Sequence, residues 1–198
     1  MDFINIRVFF SKTGRAKYIS HLDLYRAMTR AVKRAALPVW LTEGFNPRVY
    51  MTFALPLALG IEGANESFDM RLTRELPFRE IAERLDFALK GAEGLKVNSA
   101  VAPVRDADEI EKAEYEITSP HPKELADFFS RPEIIVEKKT KKGTRVIDAK
   151  PLLKWENGFL TLPAGNRLNI NPWNVLGGVE TVNVMRTAVL CADGGEFA

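Results

Sequence analysis

Residues Ser20 to Pro38 sort apolar and cationic side chains onto opposite sides of one helix, and a chain carrying such a helix must cover its apolar side with another layer. At about 100° per residue, Leu24, Tyr25, Met28, Ala31, Val32 and Ala35 share one face. Arg26, Arg30, Lys33 and Arg34 share the other. Ser20 is a good N-cap, and Asp23 three residues on is a capping-box-like acid that suits the positive end of the helix dipole. Pro38 ends the helix. The cationic face has only Asp23 against it, so it reads either as a surface for a polyanion or as ordinary solubilising charge.

The flanking sequence supplies strands. Ile4–Lys12 alternates Val8 and Phe10 against Arg7 and Phe9, and Gly14 turns the chain toward the helix. Val39–Leu41 and Val49–Leu55 are short strand candidates. Ser67–Thr73 is a clearer one, with Phe68, Met70 and Leu72 alternating against Asp69 and Arg71. Pro77 opens a second helix, Phe78–Lys90, where Ile81, Leu85 and Leu89 recur at i, i+4 and i+8. Leu95–Val101 returns as a strand. The order β-α-β-β-α-β is the ferredoxin-like split unit of an α+β fold, with an extra strand in its middle loop.

Polar, acidic Pro103–Glu111 reads as a connector, which gives a first half at 1–104 and a second at 112–198. The second half is expected to contain a strand at Ala113–Thr118, a short helix at Pro122–Phe129, and a hairpin of Ile134–Lys139 with Thr144–Ile147. A strand at Phe159–Leu162, a helical turn at Pro172–Leu176 and a strand at Val182–Leu190 complete it. Two ferredoxin-like halves in tandem is the expected architecture, and one enlarged α+β domain is the alternative.

Composition narrows the function. The 198 residues are 46% apolar and 27% charged, enough for one or two domains with a real core. Net charge is only +2, so nucleic-acid binding would have to come from local clustering. The single cysteine, Cys191, rules out an intrachain disulfide framework and points to a reducing compartment. No apolar run reaches the roughly 18 residues of a membrane span, and MDFINIRVFF lacks a cationic segment followed by a smooth apolar one. A soluble cytoplasmic protein without membrane association is expected. Two histidines and one cysteine lie too far apart for a structural zinc site, and no phosphate-binding glycine loop precedes a helix. Glu66 with Asp69 could assist a hard cation, although carboxylates at that spacing are common by chance. Neither a metal nor a cofactor is expected in this chain.

His21 is the one catalytic candidate, as the general base of a metal-independent ribonuclease. It falls toward the apolar side of the helix, however, so a buried histidine bonded to backbone is the expected state. In Glu43–Arg48, Gly44 permits a positive φ and Asn46 before Pro47 favours a turn. Phe45 is expected to plug the local core rather than stack on a base, which leaves Arg48 as the better functional candidate. Lys138, Lys139, Lys141, Lys142 and Arg145 cluster at the hairpin tip, where they would contact a nucleic-acid backbone or protect a strand edge. Phe9, Tyr50 and Phe53 are candidates for stacking bases, or are core.

The run HLDL (21–24), then R..KRA.LP (30–38), EGFNP (43–47), ALPLALG (54–60), Glu66 and Asp69 resembles the bacterial radical-SAM-linked protein family, a conserved domain of unknown function. The clear match covers Ile4 to Leu72, with looser agreement at NPWNVL and VMRTAVL. Family members often carry a His-Pro pair after the NP, whereas Arg48 and Val49 stand here. Members are fused to, or encoded beside, a radical SAM protein. The resemblance therefore implies a radical SAM partner that carries the chemistry, since one cysteine cannot hold an iron–sulfur cluster. The expected function is a non-catalytic accessory module that positions a substrate, with RNA as the candidate. Arg26, Arg30, Lys33 and Arg34 would contact phosphates, and Gly44 to Arg48 would shape the edge of the site. A protein-interaction adaptor without RNA binding is the alternative, and a ribonuclease using His21 stands third.

Overall fold

The computed structural model describes residues 3–102, 105–140, 143–177, 179–181 and 183–197. The chain is α+β, its sheet pairings are mostly antiparallel, and it divides into two compact units, Met1–Ala107 and Asp108–Ala198.

In the first unit β1 (Ile4–Lys12) leads through a 3-10 turn at Gly14–Tyr18 into α1 (His21–Arg34). Then come β2 (Met51–Phe53), β3 (Glu62–Leu72), α2 (Phe78–Ala88) and β4 (Leu95–Val101). β1 pairs with both β3 and β4, and β2 with β3, so the strands lie in the order β4-β1-β3-β2. The register sets Val8 opposite Phe68 and Ile6 opposite Met70. These residues form the floor on which both helices rest. Leu24, Met28, Ala31 and Val32 of α1 and Ile81 and Leu85 of α2, with Leu89 just beyond it, join them in one buried cluster. The apolar stripe of α1 is therefore covered by the sheet, and its cationic face is left to solvent.

β1 is buried on both sides. Arg7 is only 1% exposed and sits opposite Asp69, which it grips with two bonds, Nε to Oδ1 at 2.7 Å and Nη2 to Oδ2 at 2.9 Å.

In the second unit β5 (Ile110–Thr118), α3 (Pro122–Phe129), β6 (Ile135–Thr140) and β7 (Gly143–Asp148) are followed by β8 (Lys154–Glu156) and β9 (Phe159–Pro163). A short α4 (Pro172–Val175) and β10 (Asn183–Cys191) complete it. β5 pairs with β10 and β9, and β9 with β8, giving β10-β5-β9-β8, while β6 and β7 form a separate hairpin. Ala113, Tyr115 and Ile117 of β5 are buried with Leu125 and Phe129 of α3 and Leu160 and Leu162 of β9.

The expected strand Val39–Leu41 does not form, since Val39 and Leu41 make only isolated bridges, and three boundaries and one further element also differ from the sequence reading. α1 stops at Arg34 because Ala36 takes a left-handed φ of 49°, ahead of the proline expected to end the helix. β3 starts at Glu62 rather than Ser67, because pairing to β1 overrides the turn propensity of Gly63 and Asn65. β5 starts at Ile110, so the end of the expected connector is strand; Pro103 and Val104 lie outside the described residues. β8 was not expected at all, although Asn157 and Gly158, both at positive φ, mark the two-residue turn that joins it to β9.

Candidate nucleic-acid interface

The start of α1 is held by buried charge. Lys12, 1% exposed at the end of β1, donates from Nζ to the carbonyls of Lys17 and Ile19 at 3.3 and 3.2 Å. Buried Glu62 accepts from the Gly14 N–H at 2.8 Å, and Lys17 Nζ lies 3.7 Å from the same carboxylate. The Gly60 N–H donates to the Lys17 carbonyl, which ties the end of the ALPLALG segment to the 3-10 turn. Gly63 lies opposite Lys12, and any Cβ there would collide with the Glu66 side chain. One residue beyond this knot Ser20 caps α1, its Oγ accepting from the Asp23 N–H at 3.1 Å and donating to Asp23 Oδ2 at 2.7 Å. That hydroxyl, followed by the Arg26 and Arg30 guanidinium groups, holds the Asp23 carboxyl below its ordinary pKa.

Arg26, Arg30, Lys33 and Arg34 all face solvent. Arg26 reaches Asp23 at 3.3 Å, whereas Arg30, Lys33 and Arg34 form no ion pair among the described residues. The result is a ladder of three cations on a rigid helix.

The family-like loop is presented by a small antiparallel arm. Leu41 bridges Val49, the Thr42 N–H donates to the Arg48 carbonyl at 2.7 Å, and the Arg48 N–H donates to Thr42 Oγ1 at 3.1 Å. The base of the arm is stitched to β3 by the Val39–Leu72 bridge and by Trp40 N–H to the Arg71 carbonyl. There the Arg71 guanidinium lies 4.2 Å from the Tyr50 ring centre and 5.4 Å from that of Trp40. Tyr25 of α1 adds a hydrogen bond from its hydroxyl to the Val49 carbonyl at 3.3 Å. At the tip Gly44 takes a φ of 117°, as its place in the turn requires. Glu43, Asn46, Pro47 and Arg48 are exposed.

Phe45 corrects the expectation of a core plug: its relative exposure is 105%. At the base of the arm Val49 is buried in the core while half-buried Trp40 and Tyr50 pack with Arg71, and the tip residue projects outward. His21 is likewise exposed rather than buried, with its ring edge-on to Phe53 at 5.0 Å between centres. It is the first residue of α1, with Phe53 of β2 against its ring and the remainder open to solvent. Phe9 cannot act as an open stacking surface because it is buried. Tyr50 is engaged by Trp40 and Arg71, and Phe53 by Phe10, Phe68 and His21. Glu66 and Asp69 fall on opposite faces of β3, as odd spacing on a strand dictates, and Asp69 is committed to Arg7.

In the second unit β6 and β7 form the expected hairpin, with Lys138 opposite Arg145 and Lys139 opposite Thr144. Arg145 is exposed. Lys141 and Lys142 lie outside the described residues.

Sequence reasoning overlooked a cleft of about 690 Å³ beside α1, lined in part by Arg34, Arg84, Phe87 and Lys90. Its signal was available. On α2, Phe87 lies roughly opposite the Ile81–Leu85–Leu89 stripe, so it had no reason to be core.

No helix among the described residues is long and apolar enough to cross a membrane. No curated protein matches the chain. Residues 5–172, which include all but the first residue of β1, α1, the arm and most of the second unit, match a family described as an uncharacterized protein conserved in bacteria (DUF2344), and the chain belongs to that family.

Proposed function

We propose that the chain is a non-catalytic accessory module that positions RNA for a separate radical SAM protein in the cytoplasm. The radical SAM partner rests on the sequence resemblance alone. The RNA reading is carried by one observation: Arg30, Lys33 and Arg34 stand exposed on a helix without ion-pair partners among the described residues. Cations that stabilise the fold are normally paired or buried along their stems; a row of exposed cations on one helix face is the kind of surface that neutralises a phosphate backbone. The strand orders β4-β1-β3-β2 and β10-β5-β9-β8 support a ferredoxin-like split unit in each half, a fold used by many RNA readers, which is an analogy of fold only.

The test is a titration of the purified chain with cellular RNA at two salt concentrations, with cleavage followed in the same samples. Saturable, salt-sensitive binding without cleavage is expected, and charge reversal at Arg30 and Arg34 together should weaken it. Binding that is untouched by that double reversal would remove α1 as the interface. Cleavage lost in His21→Ala with binding retained would instead favour the ribonuclease.

A second reading has its own support in the full exposure of Phe45. An aromatic ring on a braced loop tip is suited to anchor in a partner's pocket. In that case the chain is an adaptor, and the radical SAM protein should co-purify at high salt and be lost on Phe45→Ala.

A further inference from the structure

We infer that the cleft between α1 and α2 holds one unstacked base of a single-stranded RNA, with Phe87 as its platform and Arg34 and Lys90 on the flanking phosphates. The inference rests on the RNA reading of α1 and extends it to a defined subsite. The cleft, of about 690 Å³, lies within the roughly 300–1,000 Å³ range of sites that enclose small ligands. Phe87 is 68% exposed, a large ring turned away from the core. Lys90 Nζ lies 4.5 Å from its centre, so a cation already rests against the ring that a base would share.

The charges of the lining select the occupant. Glu83 is bound by Arg79 at 2.7 Å and Arg84 by Glu80 at 2.5 Å, each one helical turn away on α2. Those four charges cancel in pairs, which leaves Arg34 and Lys90 as the cations of the cleft without a carboxylate partner among the described residues. An apolar side chain from a protein partner would cover Phe87 but strip water from two cations without supplying them a negative charge, at a cost in binding. A nucleotide satisfies both features at once, with its base on the ring and its phosphates on the cations. Arg34 lies one turn beyond Arg30, so the cleft continues the cationic face of α1 directly.

The experiment uses the full chain in fluorescence anisotropy with a labelled oligouridylate and a fully paired RNA duplex. Phe87→Ala should weaken oligouridylate binding about ten-fold, as loss of one base–aromatic stack does, and leave the dependence on salt unchanged. Duplex binding should not move, because paired bases cannot enter the cleft. Phe87→Trp should keep the affinity and add a tryptophan emission that RNA quenches beyond the quenching of the wild type. The ring is exposed, so neither variant should shift the thermal melt. Arg30→Glu should weaken both RNAs. If Arg30→Glu weakens binding while Phe87→Ala binds oligouridylate like the wild type, the subsite is wrong and the α1 reading survives. Equal loss of duplex and single strand in Phe87→Ala would overturn base stacking. A wild-type chain that binds neither RNA overturns both readings.

Discussion

At the scale of single residues, buried charges here serve geometry. Arg7 is almost fully enclosed and its fork is closed by Asp69, directly opposite on β3. Removing Asp69 leaves the buried guanidinium its bond to the Arg105 carbonyl but takes away the opposing carboxylate, so Asp69→Ala should destabilise the chain by about 3 kcal/mol in urea unfolding. A loss under about 1 kcal/mol would mean that water already compensates Arg7. Replacing both partners by apolar residues should recover much of the difference, as buried pairs elsewhere do. Phe45 gives the opposite case. Its ring touches solvent on all sides, so Phe45→Ala should change stability by no more than about 0.5 kcal/mol. A larger loss would return the ring to the core. The sequence could not separate these cases, because a phenylalanine between glycine and asparagine looks the same whether the arm that carries it folds the tip inward or, as here, presents it to solvent. The same holds for His21, whose angular position on α1 was legible but whose burial depended on where the sheet ends.

At the scale of elements, local chemistry was most legible where a cap or a period marked it. Ser20 and Asp23 announced the start of α1, and the structure joins them as the sequence suggested. Ser20→Ala should cost about 1 kcal/mol through the lost cap. The acid limb is also predictable in sign. The Asp23 carboxyl titrates below its ordinary value in the fold, held there first by Ser20 and then by Arg26 and Arg30. Its contribution is therefore complete above the unfolded pKa and is lost as pH falls through the lower, folded one. In Asp23→Asn, stability followed by circular dichroism should lose this part of its acid dependence; an unchanged slope would place the dependence elsewhere. The missed elements fall into two kinds. β8 has a readable sign, Asn157-Gly158, but the strand it serves is only three residues long, too short for alternation to mark it. The first half of β3 had none: Glu62–Glu66 is turn-like by composition and becomes strand only because β1 pairs with it. The apolar period of α2 marks only its buried stripe, and the cleft beside Phe87 lies off that stripe.

At the scale of the whole molecule, the charge is nearly balanced, with 28 basic and 26 acidic residues. A net charge of +2 creates no field strong enough to draw RNA to every surface, so binding has to be local and its salt dependence has to count a small number of phosphates. For single strands, the logarithm of affinity falls against the logarithm of salt by about 0.7 per phosphate neutralised. Arg30 and Arg34 are two of the unpaired cations of α1, so replacing both with glutamine should lower that slope by about 1.4 and weaken binding to every sequence alike. Uniform loss is the mark of backbone contact, since phosphates carry no sequence information. If the slope stays fixed while affinity falls, the two arginines act through the fold and not through phosphates. If the slope of the wild type far exceeds what the α1 cations supply, other basic residues share the interface, and Lys138, Lys139, Lys141, Lys142 and Arg145 of the second unit are the group to replace next. The measurement thus assigns the interface by counting charges, which in a chain this close to neutrality is the property that separates a bound RNA from an incidental one.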